Sequence, residues 1–273
     1  MADGKHSQAD YARTCPILEW TEDGMAVAEE VPIISEYRIQ VEVNGVLCMS
    51  IMCTPGEDRA MVVGRLFSEG FIDSVDEIDE LSLESADFCL TRASVRLATC
   101  NEKPVQVPVE DVPSVGAGCQ VLYRFPSREN RESFLTAGEF RPWNVRDVFE
   151  LDRLFAKDSP LHKLTSGTHS CYLMRDGELI RCVEDIGRHN TVDKAIGWTL
   201  LNGIDRSNLV AFISGRVPTD MMAKAVRAKF GVFASRKLPT REAIDMARRY
   251  RVTLVGDVAK GSLKVFSGMQ PVD

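Results

Sequence analysis

A chain of 273 residues can bury one or two compact cores, and 44% hydrophobic with 27% charged side chains is the balance of an ordinary globular protein. No run approaches the roughly 18 uninterrupted apolar residues of a membrane span, and the opening Met-Ala-Asp-Gly-Lys-His-Ser-Gln lacks a secretory apolar core, so a soluble cytoplasmic protein with a flexible leader over 1–28 is expected. The net charge of −7 conceals an imbalance: residues 1–113 carry 22 acidic and 8 basic side chains, residues 114–273 carry 18 and 25.

A β-rich subdomain is expected over 29–112. Residues 37–43 and 46–52 flank Asn44-Gly45, a pair that accepts positive φ at both turn positions and so predicts a hairpin. Thr54-Pro55 opens a predicted helix through Phe67, with Gly70 just beyond it. Residues 95–99 and 105–109 read as further strands. Residues 113–160 read as a connector with a mobile loop, because 110–135 is rich in Pro, Gly, Ser and Arg without clear periodicity.

An α/β domain is expected over 161–273. Residues 171–175 and 178–182 flank Asp176-Gly177 as a second hairpin, and Asn190 can cap a helix with Asp193 at the capping-box position and Gly203 as its stop. A buried strand over 209–213, a helix over 219–230, a short strand over 232–234, a helix over 240–250 and a strand over 253–255 complete the pattern. Alternation of this kind predicts right-handed crossovers around a parallel or mixed sheet.

Ligands of open α/β sheets collect at the carboxyl ends of strands. Ser214, Gly215 and Arg216 follow one predicted strand, and Ser235 through Thr240 follow the next, each ahead of a helix whose free N–H groups favour an anion. Gly215 permits close backbone approach and Arg216 can fork onto phosphate oxygens; a turn and a surface ion pair would use the same residues. Glu184-Asp185-Ile186-Gly187-Arg188-His189-Asn190 is the densest polar segment, fit for acid–base work, ligand binding or a structural hydrogen-bond network. Thr165-Ser166-Gly167-Thr168-His169 offers a second histidine beside hydroxyls. The excess positive charge of the second part either meets such an anion or attracts the acidic first part. The basic residues are scattered and not interleaved with aromatics, which argues against nucleic acid. The eight cysteines include no Cys-x-x-Cys pair, so neither a structural zinc site nor a disulfide framework is expected.

On these segments, with Val192-Asp193-Lys194, Pro239-Thr240, Thr253-Leu254-Val255-Gly256 and, earlier, Val43-Asn44-Gly45, Thr54-Pro55 and Glu69-Gly70-Phe71-Ile72, the chain resembles the FdhD family of formate dehydrogenase accessory sulfurtransferases over about residues 30–266. The resemblance implies a cytidine-deaminase-like α/β fold with a mixed sheet, preceded by a smaller β-rich part, in a homodimer. It implies a carrier that accepts sulfur from a cysteine desulfurase as a persulfide and delivers it to the Mo-bis(molybdopterin guanine dinucleotide) cofactor of formate dehydrogenase, with no permanently bound metal. The cofactor would meet Gly167, Thr168, His169, Asp185, Gly187, Arg188, His189, Asn190, Lys194, Ser214, Gly215, Arg216, Ser235, Thr240, Asp257, Lys260, Gly261 and Ser262.

The chain departs from that family at the sulfur-carrying loop. The family motif is Cys-Gly-x-Cys-Gly; here Ser114-Val115-Gly116-Ala117-Gly118-Cys119-Gln120 keeps one cysteine, which matches either motif position. Cys119 can carry a persulfide as its thiolate, with Arg124 and Arg128 nearby in sequence to favour ionisation, but one thiol has no partner for an internal disulfide. Ser166 stands for a family glycine and Val183 for an arginine. The family's Phe-x-Arg-Gly run reads Asp257-Val258-Ala259-Lys260-Gly261-Ser262, where Lys260 lacks the arginine fork. A non-catalytic chaperone that holds the guanylyl cofactor or its client enzyme is the rival expectation. A zinc deaminase is rejected, since neither His-x-Glu nor Pro-Cys-x-x-Cys is present.

Overall fold

The computed structural model describes residues 11–87, 89–98, 105–106, 119–121, 123–124, 135–157 and 159–272. The leader expected over 1–28 is corrected from residue 12 onward: β1 (Ala12–Thr21) and β2 (Gly24–Ile34) pair as an antiparallel ribbon. Ile17, Leu18 and Trp20 suit a strand, and Gly24 turns the chain with φ 128°.

The Asn44-Gly45 hairpin forms as expected, both residues at positive φ, between β3 (Tyr37–Val43) and β4 (Val46–Cys53). Tyr37, Ile39, Val41 and Val43 alternate inward as a half-buried strand requires. Helix α1 (Asp58–Ser68) follows, one turn later than its Thr54-Pro55 signal, with Asp58 in its positive first turn. Then come β5 (Ile78–Asp87), β6 (Leu90–Leu97), β7 (Val105–Gln106), β8 (Cys119–Val121) and β9 (Tyr123–Arg124). A five-stranded sheet takes the order β5-β6-β3-β4-β8, with β3 and β6 parallel, and β7 pairs with β9.

The α/β part contains α2 (Val145–Lys157), α3 (Pro160–Thr165), β10 (His169–Arg175), β11 (Glu178–Asp185), α4 (Arg188–Leu201), β12 (Val210–Ile213), α5 (Thr219–Ala228), β13 (Val232–Ser235), α6 (Arg241–Tyr250), β14 (Thr253–Ala259) and β15 (Ser262–Ser267). Its six-stranded sheet runs β11-β10-β12-β13-β14-β15; β12, β13 and β14 are parallel and their neighbours antiparallel, the mixed sheet that was expected. The connector expected to reach residue 160 ends earlier. Val148 and Leu151 of α2 pack with Tyr172, Phe212 and Val255 under one face of the sheet. The other face packs Leu173, Ala211, Phe233 and Leu254 against α4, α5 and α6, in a core continuous with that of the five-stranded sheet.

Helices α1 and α4 cross at two glycines. A methyl group on Gly64 would overlap the Asp193 carbonyl, and one on Gly197 would overlap the Ala60 carbonyl. Only glycine lets two helix backbones approach this closely. At the same crossing Arg65, 1% exposed, lies 2.7 Å from Asp193 Oδ2, and Lys224 of α5 lies 2.5 Å from the same oxygen. Asp193 therefore serves an interhelical charge cluster and not a capping box. Asn190 is likewise no cap, because α4 starts two residues earlier behind Gly187.

Candidate cofactor-binding pocket

The parallel strands β12 and β13 end in register at Ile213 and Ser235, which sets their following loops side by side. Ser235, fully buried, joins them: its hydroxyl donates to the Gly215 carbonyl at 2.6 Å and accepts from the Lys237 amide at 3.0 Å. Ser214 reaches across to β10. Its Oγ accepts from the Ser170 amide at 3.0 Å and lies 3.2 Å from His169 Nδ1, so its own proton can point at the imidazole. A side chain on Gly215 would press on Arg188 Cβ at 3.1 Å and approach His169 Nδ1 at 3.6 Å. Arg188, His169, Ser214 and Gly215 thus converge.

Beside them opens a cavity of about 530 Å³, walled among others by Phe155, His162, Thr168, His169, Arg236 and Lys237. Gly167, Ser166, Ser214 and Ala259 also line it, and no carboxylate does so among the described residues. Burial, then the Arg188 charge, then His162 lower the His169 pKa from its ordinary value, which keeps the ring neutral near pH 7. His162 holds its ring through Nδ1, 2.8 Å from the Thr168 carbonyl. The short helix α3 hangs from one carboxylate: Glu184 accepts from the amides of Leu161 at 3.0 Å and His162 at 2.8 Å, and from the Thr168 hydroxyl at 3.2 Å.

Several expected ligand residues have other engagements. Asp185, Asn190 and Lys194 are buried and bonded to one another and to the amino-terminal subdomain. Asp185 Oδ2 accepts from the Thr54 amide and hydroxyl, both at 3.0 Å, and Lys194 Nζ lies 2.8 Å away. Asp185 Oδ1 accepts from the Gly187 amide at 2.9 Å and from Asn190 Nδ2 at 2.8 Å, and that amide also donates to the Met52 carbonyl at 2.7 Å. The three side chains are a clamp between subdomains.

His189 is buried beneath the loop. Its Nε2 accepts from Arg188 Nε at 3.4 Å, with Asp220 Oδ2 at the same distance. Burial and the Lys224 charge pull its pKa down to about 4, against the opposing charge of Asp220. Thr240 caps α6 by accepting from the Ala243 amide at 3.3 Å. Asp257 pairs with Lys264 at 2.6 Å, while Lys260 and Gly261, both at positive φ, form the turn before Ser262. Arg216 is exposed on the loop outside the cavity lining. The backbone of Cys119 lies in the edge strand β8, where it pairs with Ile51; Arg128 and the segment from Ser114 to Gly118 fall outside the described residues.

Sequence reading overlooked Phe155, His162, Arg236 and Lys237. The signal for the last two was present, since Arg-Lys directly follows a strand that ends at the site. No group of three or more His, Cys, Asp or Glu among the described residues could hold a metal ion, and no described helix is long and apolar enough to cross a membrane.

A family model for FdhD/NarQ matches residues 34–273. The chain belongs to the FdhD/NarQ family. It is 32% identical over 228 residues to the sulfur carrier protein FdhD of Sulfurisphaera tokodaii, covering 81% of this chain and 83% of the relative. The sulfur carrier protein FdhD of Bacillus subtilis is 28% identical over 247 residues, covering 90% and 92%. A crystal structure from Desulfotalea psychrophila, described as a formate dehydrogenase accessory protein, superposes with a TM-score of 0.75 at 23% identity over 94% of this chain and 97% of that one. The FdhD/NarQ fold is therefore common to both chains.

Proposed function

We propose that this FdhD/NarQ protein is a sulfur carrier required for formate dehydrogenase activity, working in the cytoplasm as a homodimer. Cys119 takes sulfur from a cysteine desulfurase, and the recipient is the Mo-bis(molybdopterin guanine dinucleotide) cofactor of the dehydrogenase. The observation that supports this most is the cavity at the ends of β12 and β13, which offers a neutral His169, the His162 ring, hydroxyls and cationic side chains and, among the described residues, no carboxylate in its lining. Its volume of about 530 Å³ suits a nucleotide portion of such a cofactor. Thr168, His169, Arg188 and Ser214 would hold the guanylyl phosphates, and Gly215 would let them approach the backbone. The names of the relatives support the carrier role.

In the loading step the Cys119 thiolate attacks the outer sulfur of the desulfurase persulfide. A Cys119 persulfide forms and the desulfurase cysteine departs as its thiolate. Mass analysis of the Cys119 peptide after incubation with a cysteine desulfurase and cysteine tests this. An adduct of one sulfur atom, absent from Cys119→Ser, is the expected result. The single cysteine in residues 114–120 favours a second reading, a chaperone that binds the guanylyl cofactor or client enzyme without moving sulfur. No adduct alongside tight GDP binding would establish that alternative.

A further inference from the structure

We infer that Arg236 and Lys237, which no motif of the sequence analysis singled out, are the anion-recognition pair of the pocket and make it prefer a diphosphate ester over the corresponding nucleoside. The inference rests on the guanylyl reading above and adds to it the residues that sense phosphate.

Four cations were expected around the cofactor, and the structure draws only Arg188 to the convergence point, Lys194 being bound to Asp185 and Thr54. Arg216 is exposed outside the lining and Lys260 sits at the tip of a hairpin turn. The only formal positive charges that line the cavity among the described residues are Arg236 and Lys237. Their backbone is fixed on several sides. The Arg236 amide donates to the Ile213 carbonyl at 3.2 Å, the Lys237 amide donates to Ser235 Oγ at 3.0 Å, and the Lys237 carbonyl accepts from the Asp257 amide at 3.3 Å.

The Arg236 side chain is held by one ring and one carboxylate. Its guanidinium carbon lies 4.5 Å from the centre of the Phe155 ring, and its Nε lies 3.0 Å from Asp152 Oδ1. Ring and carboxylate therefore orient the planar fork through Nε, while its two terminal nitrogens make no hydrogen bond among the described residues. A guanidinium held in this way can turn its two terminal nitrogens to phosphate oxygens while Nε keeps Asp152. Lys237 is exposed and has no ion pair among the described residues, so it acts as a point charge at the cavity edge.

Phosphate recognition and packing separate when nucleotide and nucleoside are compared on the full chain. Calorimetric binding of GDP, guanosine and inorganic pyrophosphate is measured for the wild type, Arg236→Ala, Arg236→Lys, Lys237→Ala and Asp152→Asn. Arg236→Ala should weaken GDP and pyrophosphate by about tenfold or more and leave guanosine unchanged. Arg236→Lys, which keeps charge but loses the fork, should fall between. Lys237→Ala should flatten the salt dependence of GDP binding, and Asp152→Asn should weaken GDP because the fork loses its orientation.

Wild type that binds GDP, with Arg236→Ala equal to it, would overturn this assignment and leave the guanylyl reading standing. An equal loss of guanosine and GDP would also overturn it, by showing a packing effect. Pyrophosphate binding that needs Arg236, without any preference for GDP, would sustain the anion pair and remove the guanylyl reading. Wild type that binds none of the three would remove both.

Discussion

Lys194 Nζ lies 2.8 Å from Asp185 Oδ2, with the Lys194 side chain 1% exposed and the Asp185 side chain fully enclosed. The pair is shared with Thr54, whose carbonyl and hydroxyl each lie 3.2 Å from the same ammonium. Removing one partner of a buried ion pair leaves the other charge uncompensated, at a cost of about 3–5 kcal/mol. Lys194→Met should lower the urea midpoint by a corresponding amount. A midpoint unchanged from wild type would show that Asp185 is satisfied by its hydrogen bonds alone.

This clamp shows where the sequence was legible and where it was not. Asn44-Gly45 announces its hairpin because turn geometry is local, and 209–213 announces a buried strand because nothing polar interrupts it. Asn190 and Asp193 misled for the opposite reason. Each has the residue type and spacing of a helix start, but its partner comes from elsewhere: Met52 for the Asn190 amide, Arg65 and Lys224 for Asp193. In the polar block, Arg188 meets the site while Asp185 and Asn190 turn inward, a division that depends on the distant β4–α1 segment. Val148, Leu151 and Phe155 carried a helical period that the Pro- and Gly-rich stretch before them obscured.

The crossing of α1 and α4 leaves no room for a methyl group. Gly64→Ala drives a Cβ into the Asp193 carbonyl, a contact with backbone that cannot rotate away. Overpacking of this kind costs about 3 kcal/mol, and a marked fall in Tm is expected. Gly138→Ala, whose nearest neighbour would stand at 3.8 Å, is the control and should melt near wild type. Similar melting of both variants would mean that the helices slide apart cheaply.

His189 makes stability depend on pH. Burial and Lys224 hold its folded pKa at about 4, below the value near 6.5 of an unfolded chain. As pH falls, the unfolded chain therefore binds the extra proton first, and the stability contributed by neutral His189 is lost between about 6.5 and 4. The loss reaches about 3 kcal/mol at most. Urea unfolding of His189→Gln across that range should show a flatter profile than wild type; identical slopes would contradict the assignment.

His169 should couple ligand binding to protons. Its lowered pKa leaves it neutral near pH 7, and a phosphate bound beside it would favour the imidazolium. GDP binding should then take up a proton and tighten as pH falls toward the lowered His169 pKa. Calorimetry in two buffers of different ionisation enthalpy measures that uptake directly. His169→Asn should abolish it, and uptake that persists in the variant would assign the proton to another group.

The bonds from Met52 and Thr54 to Asn190 and Asp185 tie two stretches of sequence that a gene could otherwise have kept separate. A transplanted α/β half would carry a sealed Asp185 without its Thr54 donors, and a transplanted β-rich half would bare Arg65 without Asp193. Shuffling at the seam is thus penalised from both sides. Lineages of this protein should inherit the halves together.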